Sequence, residues 1–490
     1  MIIDMPFGEW VPDRPDFKNA VAVADGVVPL TGSYGPLASH VATGVTLPSG
    51  VVIGALRTDR LDGTPVLYCG TSTDLYTIVG TVVTASGLGL SLGVGARWSF
   101  ERYNNFIFAT AGDVLYYAAT VEIAAAFAAS PGSPPRVRSI ARVQDFLFTG
   151  NATLDIDATA APNRLRWSQF NNPVGTWGDD IATQSGSVDL DPSLGSITSI
   201  SGGRYGIVCQ QDGVSRVAYT GGNVVFSKEL IDEQHGCIAP ASLVRIGGMT
   251  FGMGRSGFWQ CNGASLSLIS AGRVWDWFLA NIDVSQVSQT QGAIDWVNRC
   301  IWWNFFTPSA TQKNRQLIWS WEQNRWTAAR VRADWLFSTA RSGIDVDAAS
   351  LAGVFTDNLN LLVDDAQFAP GNRVFGGFAG INVMAATGSP QEAVIETGEL
   401  QPEPSRRSMV QSIIPIVEGS TSGVLASVGV RPRLPSETVQ YSTETTPSPQ
   451  GLCPQRKDGR YVRARVRIGA GSQWNKISGI QVQFVPGGAV

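Results

Sequence analysis

The sequence predicts a mainly β protein: a β-propeller-like body of six or seven small antiparallel sheets, plus a small C-terminal β-sandwich-like domain. Three observations predict it. The chain carries 54 glycines and 26 prolines in 490 residues, above the ordinary combined share of about 12%, so many turns separate short elements. Helical periodicity is nearly absent. A strand–turn–strand unit, in which an apolar or aromatic run meets a Gly/Asp/Asn/Ser turn and a second apolar run follows, recurs about every 40 to 60 residues, the length of a propeller blade.

Taken in order, residues 1–40 read as an N-terminal arm packing on the body. The opening has neither a basic stretch nor an apolar run of signal-peptide type, so no secretion signal is expected. Gly26 to Leu56 is free of charge, but Pro29, Pro36, His40 and Pro48 interrupt it, which excludes a spanning helix. The body, 41–396, contains the repeated units. Val66–Cys69 turns at Gly70–Asp74 into Leu75–Val79, and Asn105–Ala109 turns at Ala111–Asp113 into Val114–Tyr117. The next units are Asp145–Phe148 with a turn at Gly150-Asn151, Tyr205–Cys209 with Asp212-Gly213, and Met249–Gly252 with Arg255–Gly257. Cys300–Phe306 before Leu317–Trp321 and Val354-Phe355 before Leu359–Leu362 complete the series. Two helices are expected, Thr120–Ala129, stopped by Pro131, and Ala271–Ile282, with Val274, Trp275, Phe278 and Leu279 on one face. Beyond these, Pro402, Pro404 and Pro415 punctuate a new texture of three alternating runs, Val410–Val417, Val424–Arg433 and Tyr461–Ile468, which sets off 397–490 as a C-terminal β-domain.

Charge limits function. The net charge is -4 and only 16% of residues are charged, which argues against a freely diffusing nucleic-acid binder. By count, 397–490 carries eleven Lys/Arg against six Asp/Glu, a surplus of five, leaving -9 for the remainder. That asymmetry points to a different partner for the two parts. The sharpest basic feature is Tyr461–Ile468, where Arg463, Arg465 and Arg467 alternate with Val462, Ala464 and Val466, placing three guanidiniums on one strand face. These arginines are the candidate inter-subunit or tail-protein contact, with a solvated sheet face and a surface facing the DNA phosphates as the alternatives. Arg465→Glu is accordingly expected to weaken assembly while leaving the subunit folded.

Catalytic chemistry finds no support in the sequence. His40 and His235 have no Cys or carboxylate at metal-ligand spacing. The six cysteines, Cys69, Cys209, Cys237, Cys261, Cys300 and Cys453, are scattered without a CxxC and read as buried hydrophobes in a reducing compartment. Gly87, Gly89, Gly93 and Gly95 lack the spacing of a phosphate-cradling loop. Asp179-Asp180 and Asp364-Asp365 are sequence neighbours whose side chains point apart, unlike paired catalytic carboxylates. No GxSxG elbow accompanies either histidine. The Trp302, Trp303, Trp319, Trp321 and Trp326 cluster reads as inter-strand packing. No cofactor, metal or membrane partner is expected.

A set of segments adds a resemblance. Phe7–Phe17 (FGEWVPDRPDF), Gly32–Pro36 (GSYGP), Pro134–Phe146, Pro162–Ser168 and Gly203–Ile207 occur in order. His235–Pro240, Gly257–Gly263, Gly459–Arg465 and Trp474–Ile480 follow. Together they resemble tail hub (nozzle) proteins of short-tailed bacteriophages, also called packaged-DNA stabilisation proteins, over nearly the whole chain; the usual Gly-Tyr order is here Tyr34-Gly35. The resemblance implies a homohexameric ring in the virion tail, below the portal and head-to-tail adaptor, assembled in the host cytoplasm. Its partners would be its own copies, the adaptor, tail needle or fibre proteins, and packaged double-stranded DNA passing through the bore. A mildly acidic chain suits a conduit, because dense phosphate contacts would stall the duplex. The alternatives are a tail-borne carbohydrate or receptor binder and a propeller glycosidase.

Overall fold

The structure is a computed structural model that describes residues 2–14, 20–222, 224–341, 372–402, 406–420, 422–431 and 437–489. Of these, 53% lie in strands and 4% in helices. Seven four-stranded antiparallel units follow one another along the chain. Blade 1 runs from Gly54 to Ala85, blade 2 from Ser99 to Ala129, blade 3 from Arg136 to Asp189 and blade 4 from Ile197 to Asp232. Blade 5 spans Val244 to Leu268, and blade 6 spans Gln291 to Ala329. Blade 7 takes Trp335–Arg341, Asn372–Ala379 and Asn382–Ala385 from the far end of the body and its outermost strand, Val41–Thr46, from the near end. The innermost strand of blade 7, Trp335–Arg341, lies against that of blade 1, Gly54–Asp59. A ring closed in this way leaves no exposed edge between first and last blades.

The first strand of each blade lines the axis, where strands crowd. A Cβ on Gly54 would come within 2.5 Å of the Trp98 side chain, and one on Gly202 within 2.0 Å of the Arg142 carbonyl oxygen. Only glycine tolerates such approach. Between blades the core is aromatic. Phe146, Phe148, Trp167 and Phe226 form one cluster between blades 3 and 4, and Phe258, Trp303 and Trp326 another between blades 5 and 6. Each such buried side chain stabilises the fold by about 1.5–3 kcal/mol.

The strands outside the propeller are distributed differently from the expected division at 40 and 396. Ile2–Pro6, Val27–Leu30 and Ser33–Pro36 join Trp474–Ala489, Arg406–Gly419 and Cys453–Gly459 in one sheet. Val21–Asp25 joins Ala393–Thr397, Tyr461–Ile468, Val424–Arg431 and Gln440-Tyr441 in the other, and meets blade 6 through the parallel pair Asp25 and Ala328. The arm thus completes the C-terminal sandwich as well as packing on the body, and the boundary at 396 cuts through Ala393–Thr397. An apolar cluster containing Val410, Val462 and Trp474 continues into Phe251 and Trp303 of the body. Asp25, 6% exposed, fixes the junction by pairing with Arg315 and Arg330 of blade 6 and the segment after it, both at 2.9 Å.

Three local expectations change. Thr120–Ala129 is a turn and a short strand rather than a helix. Phe127, 3% exposed, packs against Tyr68 and Phe100, and that contact outweighs the helix propensity of the alanines. The second helix starts late, at Trp275, after Gly272 at φ 62°. The Asp13 carboxylate from the arm accepts from its first amides, Asp276 N and Trp277 N. Gly150-Asn151 is a bulge inside the strand Phe146–Leu154 and not a turn; Asn151 sits at φ 58° and its amide donates to Ile197 O at 2.7 Å. The expected Val354–Leu362 unit and Asp364-Asp365 lie outside the described residues.

Candidate functional site

The C-terminal arginine row forms as expected, with Val462, Ala464 and Val466 at 1%, 0% and 1% exposure beneath it. Its guanidiniums are nevertheless committed within the chain. Arg463 Nε donates to Glu399 at 3.1 Å, Arg465 pairs with Glu396 at 2.7 Å, and Arg467 reaches Glu392 at 3.2 Å and Glu444. Arg465 also stacks over the Tyr441 ring at 3.9 Å, and Tyr441 donates to Glu396 at 2.7 Å. Burial and then the Glu396 charge push the Tyr441 phenol up to about 12, while hydrogen bonds from Arg467 hold the Glu444 carboxyl below its ordinary range. The row is therefore a ladder of ion pairs, and two of its carboxylates bear on the charge count. Glu392 and Glu396 lie on the other side of the expected boundary, so the surplus of five comes partly from dividing a paired cluster.

The propeller axis holds a cavity of ≈740 Å³ lined by the innermost strands. Three of its arginines share one position, which the sequence reading missed. Arg102, Arg142 and Arg245 each stand one residue before the pair that closes a two-residue hairpin turn: Tyr103 with Phe106, Val143 with Phe146, Ile246 with Met249. Each donates its Nε to a carbonyl in its own turn, Asn104 O at 2.8 Å, Gln144 O at 2.8 Å and Gly247 O at 3.0 Å. Each then reaches back one blade. Arg102 donates to Asp59 O at 2.6 Å and to Thr58; Arg142 lies 5.1 Å above the Tyr103 ring; Arg245 donates to Gly202 O and lies 5.2 Å above the Tyr205 ring. The signal was in the sequence as Arg-x-(two turn residues)-aromatic or Met, at Arg102–Phe106, Arg142–Phe146 and Arg245–Met249.

Glu101 is the only carboxyl-bearing residue among the described residues lining this cavity. Burial raises its pKa to about 7, against the opposing pull of Arg142. The other groups singled out in the sequence are structural. Trp302, Trp303, Trp319 and Trp326 are 0–4% exposed. His40 packs edge-on to Trp302 and Phe375, and burial lowers its pKa to about 4. His235 pairs with Asp232 at 3.0 Å. Asp179 pairs with Arg166 at 2.9 Å. All six cysteines are buried and free.

No family model and no curated protein matches the chain. Among solved structures it is similar to U3-55K at TM-score 0.40 and 6% identity, over 72% of this chain and 99% of that one. The N-terminal part of BBS1, in complex with ARL6, gives TM-score 0.38 and 9% identity over 72% and 96%. The exo-β-1,3-galactanase of Phanerochaete chrysosporium gives TM-score 0.28 and 10% identity over 92% and 100%. Likeness at this level carries no functional argument, and the β-propeller-like architecture rests on the strand pairing described above.

Proposed function

We propose that this chain is a structural tail hub (nozzle) subunit of a short-tailed bacteriophage, acting in the virion tail as one of six copies in a ring. The ring would sit below the portal and head-to-tail adaptor, retain packaged DNA and conduct it at ejection, with tail needle or fibre proteins attached. The observation that carries the reading is the ordered set of tail-hub-like segments along nearly the whole chain, from Phe7–Phe17 to Trp474–Ile480. The duplex would run along the ring axis between subunits, since ≈740 Å³ inside the propeller is the size of a small-molecule pocket.

The rival glycosidase reading requires two carboxyl groups facing each other about 5 to 9.5 Å apart; the single Glu101 among the described lining residues counts against it. A carbohydrate platform needs exposed aromatic faces, and most of the Trp cluster is buried. Electron microscopy of virion tails containing this chain tests the proposal. The expected result is a sixfold ring beneath the capsid vertex into which seven-bladed subunits fit. Any other rotational symmetry, or location of the chain outside the tail axis, overturns it.

A further inference from the structure

One face of the propeller, where the innermost strands begin, holds a second cluster of cations. Arg97 lies just before the innermost strand of blade 2, and Arg138 lies near the start of that of blade 3. Both line a cavity of ≈220 Å³ with Asn151, Thr198 and Ser288, and Arg97 also lines the adjoining axial cavity. Two like charges face the same space. A guanidinium carries five N–H donors, and Arg97 uses one of them, Nη2 to Thr198 O at 2.9 Å. Arg138 and the Ser288 hydroxyl have no hydrogen-bond or ion-pair partner among the described residues, and none of the residues lining the cavity carries a carboxyl group.

Most other arginines of blades 3 and 4 are paired. Arg136 pairs with Asp113, Arg142 with Asp145, Arg164 with Asp155 and Asp189, Arg166 with Asp155, and Arg216 with Glu229; Arg204, exposed on the surface, is the exception. Burial and, with it, the charge of Arg138 lower the Arg97 pKa to about 10, opposed by the Cys237 thiol, and no carboxylate acts on it. Arg97 is half-buried, whereas Arg138 and Ser288 are exposed to solvent at the mouth of the cavity; an anion held between the two guanidiniums relieves their mutual repulsion. The bulge at Gly150-Asn151 opens the strand beside them. At about 30 Å³ per water, the cavity is large enough for a tetrahedral oxyanion with a few waters.

We propose that Arg97, Arg138 and Ser288 form a binding site for a phosphate-type oxyanion, either free phosphate or the phosphate group of a small ester whose body occupies the axial cavity. Arg supplies the forked donors such an anion takes, and Ser288 adds a hydroxyl. The proposal is independent of the tail-hub reading.

The test uses the full chain in chloride buffer of fixed ionic strength, with millimolar inorganic phosphate or a nucleoside monophosphate added and binding read by calorimetry and by thermal unfolding. Wild-type protein should bind phosphate and unfold at a higher temperature with it. Arg138→Ala should weaken binding about tenfold or more, the loss of one charged hydrogen-bond set. Arg138→Glu places a carboxylate beside Arg97, so it should raise the unfolding temperature in chloride alone and abolish the phosphate response. Equal affinity for the two probes identifies the free anion as the ligand, whereas tighter monophosphate binding identifies an ester. Absence of a phosphate response in the wild type, or persistence of that response in Arg138→Glu, overturns the proposal.

Discussion

Arg465→Glu separates a surface contact from a structural ion pair. In the sequence the arginine row looks available to a partner; in the fold Arg465 holds Glu396, whose side chain is 1% exposed, at 2.7 Å. Gross attraction between unit charges about 4 Å apart is about 4 kcal/mol at an effective dielectric of 20. Reversing the charge removes this and sets a second carboxylate beside the first. Relief comes from Arg463, 3.6 Å from Glu396, and from solvent, since the Arg465 side chain is 30% exposed. The net cost should fall near the range for breaking a buried pair, about 3–5 kcal/mol, and Tyr441 loses its cation–π partner as well. Urea unfolding of the full chain should show a lower midpoint with an unchanged slope. Glu396→Gln should recover part of the loss in the double variant. Wild-type stability in Arg465→Glu, accompanied by failed ring assembly, would refute this account and return the row to a partner-binding role.

Asp155, with its side chain 1% exposed, accepts from Arg166 at 3.0 Å and Arg164 at 2.9 Å, so Asp155→Ala should destabilise the protein by about 3–5 kcal/mol in chemical denaturation. Burial raises the Asp155 pKa, but the Arg166 and Arg164 hydrogen bonds prevail and its net shift is downward; its contribution is present above the unfolded value near 3.9 and is lost as pH falls through the folded one, a dependence the variant should lack. Glu101 has the opposite sign. Its folded pKa is raised to about 7, so the native state binds the extra proton and stability falls as pH rises from about 4.5 to 7, by roughly 3–4 kcal/mol in total. Glu101→Gln should flatten that slope in unfolding curves taken across this range; an unchanged slope counts against the assignment.

The sequence displayed the turn rhythm and the aromatic runs because blades are local: each strand of blades 1 to 6 pairs with its neighbour in sequence, and alternation is visible within a few residues. It concealed the closures. Val41–Thr46 joins Asn382–Ala385 across more than 300 residues, yet it is exposed at five of six positions and shows none of the apolar patterning by which strands are found. Ile2–Pro6, pairing with the final strand, alternates exposed and half-buried positions and is as inconspicuous. The arginine row shows the same gap at the level of the site. Alternation placed Arg463, Arg465 and Arg467 on one face correctly, because that follows from the two-residue period of one strand. Whether the face was free depended on Ala393–Thr397 arriving beside it with Glu396, which no local pattern records. The inverse holds for Arg97 and Arg138, which are 41 residues apart and unremarkable as letters. They meet because consecutive blades start at the same face of the ring, and their missing counter-charge becomes visible only once every other described neighbour is accounted for.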